Sequence, residues 1–253
     1  MAYTVYQLAT LANAVYENPS SGIDGWRLVG QVGSFTAGFY AGIFSKGQLS
    51  VLALRGTDDG YDIVPDAQIF LGQVPEQFNH ASRAFGAAKR STPPGNKLAI
   101  TGHSLGGGLA CLLAVATGCP AVTFNAPGVT RSLAASLPNY TTTLTSIVPS
   151  QLNDARVVNI RAKFDPVSIG TGPQIGDATS IGVAGCAPVT SESRARAFAA
   201  AAKIVASRSP VEIVLSATDA MVLTGRFVLC QHGMALMVQQ LKNMPEYNRD
   251  LGW

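Results

Sequence analysis

One serine, Ser104, lies among glycines in the segment ITGHSLGGGLACLLAV, and this arrangement constrains the fold more than any other stretch of the chain. A glycine inside a regular element costs roughly 0.5–1 kcal/mol relative to alanine. The glycines around this serine therefore need a local reason, and they are Gly102, Gly106, Gly107 and Gly108. Either the backbone bends sharply at the serine, or another part of the chain approaches it closely.

The residues on either side of Ser104 predict a strand over Lys97–Thr101 and a helix over Leu105–Ala116. A Gly-x-Ser-x-Gly pattern between a strand and a helix is typical of a nucleophile elbow, whose turn lifts the serine hydroxyl clear of the sheet. The first amides of the helix point to the same place. A phosphate-binding loop fits less well, because the glycine and lysine pattern of such loops is absent. A glycine-rich turn with an incidental serine is the other alternative.

The rest of the chain alternates short apolar strands with helices, which predicts an α/β fold with a mostly parallel central sheet and helices on both faces. With 253 residues, 47% hydrophobic and 13% charged, the chain can bury a large core, and we expect one domain over residues 1–253. The expected strands are Trp26–Val32, Thr36–Phe44, Leu49–Leu54, Lys97–Thr101, Ala121–Phe124, Val157–Arg161 and Arg226–Leu229, with a hairpin turn at Ser45–Gln48. The expected helices are an N-terminal one with Val5, Leu8, Ala12 and Val15 on one face, then Glu76–Arg90, Leu105–Ala116, Thr130–Ser136, Ser191–Ser207 and Gly233–Asn243.

Charge and cysteine content limit the partners of the chain. The net charge is +3 and no cluster of Lys and Arg is present, so we expect no nucleic-acid partner. The four cysteines lack metal-binding spacing, and no transmembrane span or secretory signal is predicted. We therefore expect no metal, no cofactor and a cytoplasmic location, with export by a signal-independent route as the alternative. The low charge fits either a surface that meets lipid transiently or a large buried sheet.

A serine nucleophile needs a neighbouring base, and that base needs an orienting acid. The chain has three histidines. In folds with this elbow the order along the chain is serine, acid, histidine, and only His232 follows Ser104. His103 lies on the elbow itself and should point away from the serine, and His80 lies in an earlier helix. His232 is therefore the candidate base, and the other two are interpreted as structural.

The acid should lie between Ser104 and His232, just past a strand. Asp165 in VVNIRAKFDP meets this condition, and a turn-forming Asp-Pro is the alternative reading. Asp154 precedes the strand and would emerge at the wrong edge of the sheet. Asp177 and Asp219 are weaker candidates on less structured segments.

An oxyanion hole requires two backbone N–H groups near the reacting carbonyl oxygen. The amide of Leu105, directly after the nucleophile, can supply one donor. The second must come from a loop after an earlier strand, and SVLALRGTDD offers Thr57, with Gly56 permitting a turn. An ordinary exit from a strand into a loop is the alternative for this segment.

The segments LATLANAVYE, LALRGT, GHSLGGGLA, VVNIRAKFDPV and CQHGMALMVQQL together resemble the class 3 (fungal-type) lipase family of α/β-hydrolases, in its bacterial branch. The resemblance runs from about Leu8 to Leu241, with the motifs in the family order. It implies Ser104 as nucleophile, Asp165 as acid and His232 as base, with Thr57 and Leu105 as oxyanion donors. It also implies hydrolysis of acylglycerols or similar acyl esters through an acyl-enzyme, and lipid as the partner.

The sequence departs from the family in three places. PEQFNHA replaces the usual His-x-Gly-Phe, and neither the signal peptide nor the disulfides of secreted fungal members are evident. Residues Asp58–Pro75, where the family places its lid, carry apolar side chains that would either cap an acyl pocket or belong to the core. An acyltransferase with the same triad and a non-catalytic binding protein on the same fold are the alternative functions. The oligomeric state is not predicted.

Overall fold

The structure is a computed structural model whose central feature is one sheet with its strands side by side in chain order. It describes residues 2–17, 19, 22–34, 38–56, 74–75, 77–129, 156–163, 165–184 and 232–253. The strands in these ranges are β1 (Gly22–Ile23), β2 (Trp26–Gly33), β3 (Tyr40–Lys46), β4 (Leu49–Leu54), β5 (Lys97–His103), β6 (Ala121–Phe124), β7 (Val157–Ala162) and β8 (Asp177–Ile181).

The sheet has an antiparallel part and a parallel part. Strands β1 to β4 form an antiparallel meander, and β4 to β8 are parallel. Leu54 pairs with Gly102, His103 with Phe124, and Phe124 with Ile160. Since parallel strands present their carboxyl ends at the same edge, the segments that follow β4, β5, β6 and β7 come together there.

Helices cover both faces of the sheet. They are α1 (Val5–Ala14), α2 (Gln77–Ser91), α3 (Leu105–Thr117), α4 (Pro166–Gly170) and α5 (Met234–Lys242), followed by a 3-10 helix at Pro245–Asn248. Successive residues of a strand point to opposite faces. In β4, Leu52 and Leu54 accordingly lie in the core with α2 and α3, whereas Val51 and Ala53 lie in the core with α1 and α5. The sheet is therefore the middle layer of three, which confirms the predicted α/β class.

The structure corrects several details of the predicted elements. The hairpin turn between β3 and β4 is only Gly47–Gln48, because Ser45 and Lys46 still pair with β4. Asp177, placed by sequence in a less structured segment, begins strand β8, and α4 was not predicted. The expected elements at Thr130–Ser136, Ser191–Ser207 and Arg226–Leu229 lie outside the described residues.

Candidate active site

Ser104 occupies a sharp turn between β5 and α3. Its φ is +56° and its ψ is −130°, a backbone conformation that a residue with a side chain rarely adopts. It is the N-cap residue of α3 but makes no side-chain capping hydrogen bond, so its hydroxyl is not used to satisfy the helix. Its amide donates to the carbonyl of Phe124 (3.0 Å), which holds the turn against β6.

The glycines around Ser104 are required by close backbone approach. A Cβ on Gly102 would lie 2.3 Å from the carbonyl oxygen of Gly106, and one on Gly106 would lie 2.3 Å from that of Leu54. A Cβ on Gly107 would lie 2.7 Å from the side chain of Ala126. Real Cβ atoms essentially never make such short contacts. The turn, the first turn of α3 and the end of β4 can therefore pack together only if these positions lack side chains.

The loop that leaves β4 lies directly against Ser104. A Cβ on Gly56 would be 3.1 Å from Cβ of Ser104 and 2.6 Å from the carbonyl oxygen of His103. Thr57, the expected oxyanion donor, lies outside the described residues, as does most of the predicted lid at Asp58–Pro75. Leu105 is the first residue of α3, and an amide at that position has no acceptor inside its own helix.

Asp165 lies three residues past β7 and is fully buried as the N-cap of α4. Its Oδ2 accepts a hydrogen bond from the amide of Ser168 (2.8 Å), and its Oδ1 lies 2.6 Å from Nδ1 of His232. A carboxylate at a helix N-terminus satisfies an otherwise unpaired amide. Both carboxylate oxygens are therefore held in place, one by the helix and one by the histidine.

His232 lies just before α5 and is buried. A carboxylate oxygen can only accept, so Nδ1 of His232 carries the proton and donates to Asp165. The second nitrogen, Nε2, is buried and has no hydrogen-bond partner in the described part of the chain. The pair thus presents a basic nitrogen oriented by a carboxylate, which is the arrangement that general-base catalysis requires.

Both ring nitrogens of His103 are engaged, so this histidine is not available as a base for Ser104. Its Nε2 donates to the carbonyl oxygen of His232 (2.6 Å), and its Nδ1 accepts from the hydroxyl of Tyr16 (2.9 Å). Burial, reinforced by the neighbouring His232, lowers the pKa of His103 to about 3, so the ring is neutral near pH 7. The hydroxyl of Tyr16 in turn accepts from the amide of Gly56 (3.0 Å).

The remaining sequence candidates lie elsewhere. His80 is exposed on α2, with its ring 5.5 Å from that of Phe39. Asp177 is exposed at the start of β8, and Asp154 and Asp219 lie outside the described residues. Sequence reasoning missed Tyr16, which hydrogen-bonds to His103, and Asn125, which hydrogen-bonds to the carbonyl of His232. A signal for Asn125 was available. It directly follows the buried strand β6, just as Ser104 directly follows β5 at the same edge of the sheet.

Two general features of the described ranges bear on the kinds of site they can form. In those ranges no group of three or more His, Cys, Asp or Glu side chains is placed to hold a metal ion. None of the helices there is long and apolar enough to cross a membrane.

Comparisons with known proteins identify the family. The family model of the Tle-like phospholipase domain matches residues 7–169, which include Ser104 and Asp165. An extracellular phospholipase A1 of Serratia liquefaciens is 40% identical over 136 residues, and the match covers 49% of this chain and 42% of that protein. The chain therefore matches less than half the length of this curated relative.

The comparison of folds points the same way. A deletion mutant of Rhizomucor miehei lipase, solved with its propeptide, superposes with a TM-score of 0.51 at 15% identity and covers 72% of this chain and 69% of its own. At that identity the likeness concerns the fold, which is that of an α/β-hydrolase. Because the family model matches well over half of the chain, this chain belongs to the Tle-like phospholipases, within the class 3 lipase family of α/β-hydrolases.

Proposed function

We propose that the chain is a carboxylic-ester hydrolase that works through a triad of Ser104, Asp165 and His232. The observation that carries the proposal is the buried pair of Asp165 Oδ1 and His232 Nδ1, 2.6 Å apart, with Nε2 of His232 unpaired among the residues that the structure describes. This pair lies at the same edge of the sheet as Ser104, whose backbone has the positive φ of an elbow. An oriented base and an elbow serine at one edge of the sheet are the groups that activate a hydroxyl for acyl transfer once they come together.

The reaction proceeds in two halves. In the first, Oγ of Ser104 attacks the ester carbonyl carbon and its proton passes to Nε2 of His232. The ester C–O bond then breaks, the alcohol leaves with the proton from His232, and the acyl group remains on Ser104. In the second half, water attacks the acyl-enzyme and gives a proton to His232, which returns it to Ser104 as the acid leaves. Asp165 keeps the histidine in the required tautomer and stabilises its charged form.

The oxyanion of each tetrahedral intermediate is assigned to the amides of Leu105 and Thr57. The position of Leu105 at the start of α3 supports its role as an oxyanion donor. Its amide has no hydrogen-bond acceptor within the helix, and the helix dipole favours negative charge there. The close approach of Gly56 to Ser104 supports the part of the next residue, Thr57. One such donor is worth roughly 2.7–4 kcal/mol in the transition state.

Phospholipids are the proposed substrate class, with acylglycerols as the second. The family model and the Serratia relative both carry phospholipase in their descriptions, which supports a phospholipid ester. A substrate of this kind is presented at a lipid surface, so transient contact with that surface is part of the proposal. The cytoplasmic location expected from sequence stays a prediction, and the Serratia relative is described as extracellular.

The role of Ser104 can be tested by Ser104→Ala. The variant should stay folded and lose ester hydrolysis by about 1,000-fold or more, because the other triad members act only together with the nucleophile. The measurement is release of p-nitrophenol from a soluble p-nitrophenyl ester. Covalent labelling by a fluorophosphonate, located by mass spectrometry, should occur on Ser104 and disappear in the variant. Wild-type turnover in Ser104→Ala would contradict the assignment, and absence of labelling would favour a non-catalytic binding protein.

The substrate class requires a direct comparison of lipids. Fatty acid release should be faster from phosphatidylcholine vesicles than from a triacylglycerol emulsion of equal ester content. Adding a primary alcohol separates hydrolysis from acyl transfer, since an acyltransferase would form the new ester in preference to the free acid. A higher rate on the triacylglycerol emulsion would contradict the phospholipid assignment while leaving the triad intact.

A further inference from the structure

The carbonyl oxygen of His232 is held by two buried side chains from the sheet. Nε2 of His103 donates to it at 2.6 Å, and Nδ2 of Asn125 donates to it at 3.0 Å. Because the N-cap of α5 is Gly233, this carbonyl lies outside the hydrogen bonds of that helix. The backbone of His232 is therefore anchored by side chains at the carboxyl ends of β5 and β6.

Asn125 also holds the other half of the acid–base pair. Its Oδ1 accepts from the amide of Ala162 (2.8 Å), the last residue of β7. The carbonyl of Ala162 in turn accepts from the amide of Asp165 (3.1 Å). One amide side chain thus connects the strand that leads to Asp165 with the backbone of His232, the two residues whose side chains meet at 2.6 Å.

The conformation of Asn125 shows that this bridge needs a particular side chain. Its φ is +45°, in the left-handed region where glycine fits without strain and asparagine is better tolerated than most residues. Glycine would fit the backbone but could not bridge, and an ionised aspartate would fit but could not donate to a carbonyl. Asparagine fits the turn, accepts from Ala162 and donates to His232 within one fully buried side chain.

Resting on the proposed triad, we infer that Asn125 is a positioning residue for the general base, setting the geometry between Asp165 and His232 without touching the substrate. The side chain acts on the two backbones, so its loss should loosen the pair rather than remove a reacting group. Misplacement of a catalytic group by about 1 Å can cost about 100-fold in rate. Substrate binding does not depend on this bridge, so KM should hardly change.

Two variants test the bridge and a third is the control. Asn125→Gly keeps the backbone conformation and removes both bridging hydrogen bonds. Asn125→Asp, assayed at a pH where its carboxylate is ionised, keeps the acceptor and puts a second acceptor in place of the donor. Both should lower kcat by roughly 10- to 100-fold at nearly constant KM. The control is Asn159→Ala on β7, which removes an equally buried amide that bonds to Thr123 and to the backbone of Ile175. The control should lower the thermal midpoint but leave kcat per folded molecule within about twofold, since it does not contact His232.

A second readout does not depend on turnover. The proton on Nδ1 of His232, shared with Asp165 across 2.6 Å, should give a downfield NMR resonance that is lost in His232→Gln. It should weaken or move upfield in both Asn125 variants and stay in place in Asn159→Ala. If wild type hydrolyses esters and either Asn125 variant retains its kcat, the positioning role is wrong and the proposed function stands. If wild type neither hydrolyses esters nor labels with a fluorophosphonate, the proposed function fails. The change of the resonance in the Asn125 variants then tests by itself whether Asn125 positions His232, and an unchanged resonance would contradict that role.

Discussion

Backbone strain at single residues marks the carboxyl edge of the sheet. In the described ranges the non-glycine residues with positive φ are Asp24, Ser104 and Asn125. Asp24 lies in the turn between β1 and β2, whereas the other two follow β5 and β6 at the proposed site. Holding such a residue costs of order 1–3 kcal/mol, and the conformation persists only where the surrounding structure over-determines it. At Ser104 the conformation is fixed by the tight packing of the neighbouring glycines.

The choice among histidines is tested by two substitutions. His232→Ala should reduce kcat/KM nearly as much as Ser104→Ala, because a serine without its base is a poor nucleophile. His80→Ala should leave turnover within about threefold, since this exposed residue contacts only the ring of Phe39 among the aromatic pairs described. Both variants are assayed with the same soluble ester. A reversed order of effects would place the base on α2 and contradict the assignment of His232.

Among the elements, α3 shows why sequence signals near Ser104 were reliable, and β8 shows where they were not. The predicted helix Leu105–Ala116 is observed as Leu105–Thr117, and it ends at Gly118, whose φ is +71°. Local chemistry decides both ends of this helix, because the strained Ser104 begins it and the left-handed Gly118 ends it.

Strand β8 was missed because Asp177–Ile181 is mostly exposed and carries no apolar alternation. That segment becomes a strand by pairing with β7, which is a tertiary effect.

The packing of α3 on β4 is tested by the same substitution in two helices. Gly106→Ala would place a Cβ 2.3 Å from the carbonyl oxygen of Leu54, so it should lower the free energy of unfolding by about 1–3 kcal/mol. Gly86→Ala in α2 meets only the end of the flexible Arg90 side chain at 3.4 Å, and should gain up to about 1 kcal/mol from helix propensity. Urea unfolding measures both. Equal effects in the two variants would contradict the close approach of helix and strand.

For the molecule as a whole, His103 connects distant parts of the chain. Through Tyr16 it reaches the turn after α1 and the loop after β4, and through the carbonyl of His232 it reaches the start of α5. Its burial opposes protonation, which makes it a source of acid sensitivity. The folded protein binds this proton only near pH 3, whereas the unfolded chain binds it near pH 6.5. Stability should therefore be lost progressively as pH falls from about 6.5 to about 3.

A comparison with His103→Gln isolates this contribution. The wild-type free energy of unfolding should fall between neutral pH and about pH 4.5 by more than that of the variant, because glutamine does not titrate. Carboxylates titrate in both proteins and cancel in the difference. The measurement is the urea midpoint at each pH. Parallel declines in the two proteins would mean that His103 is not the group whose protonation opposes folding.

The sequence alone determined the parts of the protein that depend on local chemistry. The glycines around Ser104 imposed a sharp turn, and apolar strands between helices imposed a largely parallel sheet. Chain order singled out His232 as the candidate base, and a position just past a strand favoured Asp165 as the candidate acid. Only the tertiary structure decided which atoms meet. The 2.6 Å contact of Asp165 with His232, and the bridge through Asn125, join residues 67 and 107 positions apart. Such contacts depend on which strands lie side by side, because their geometry is set by sheet register and not by the residues near each one in the chain.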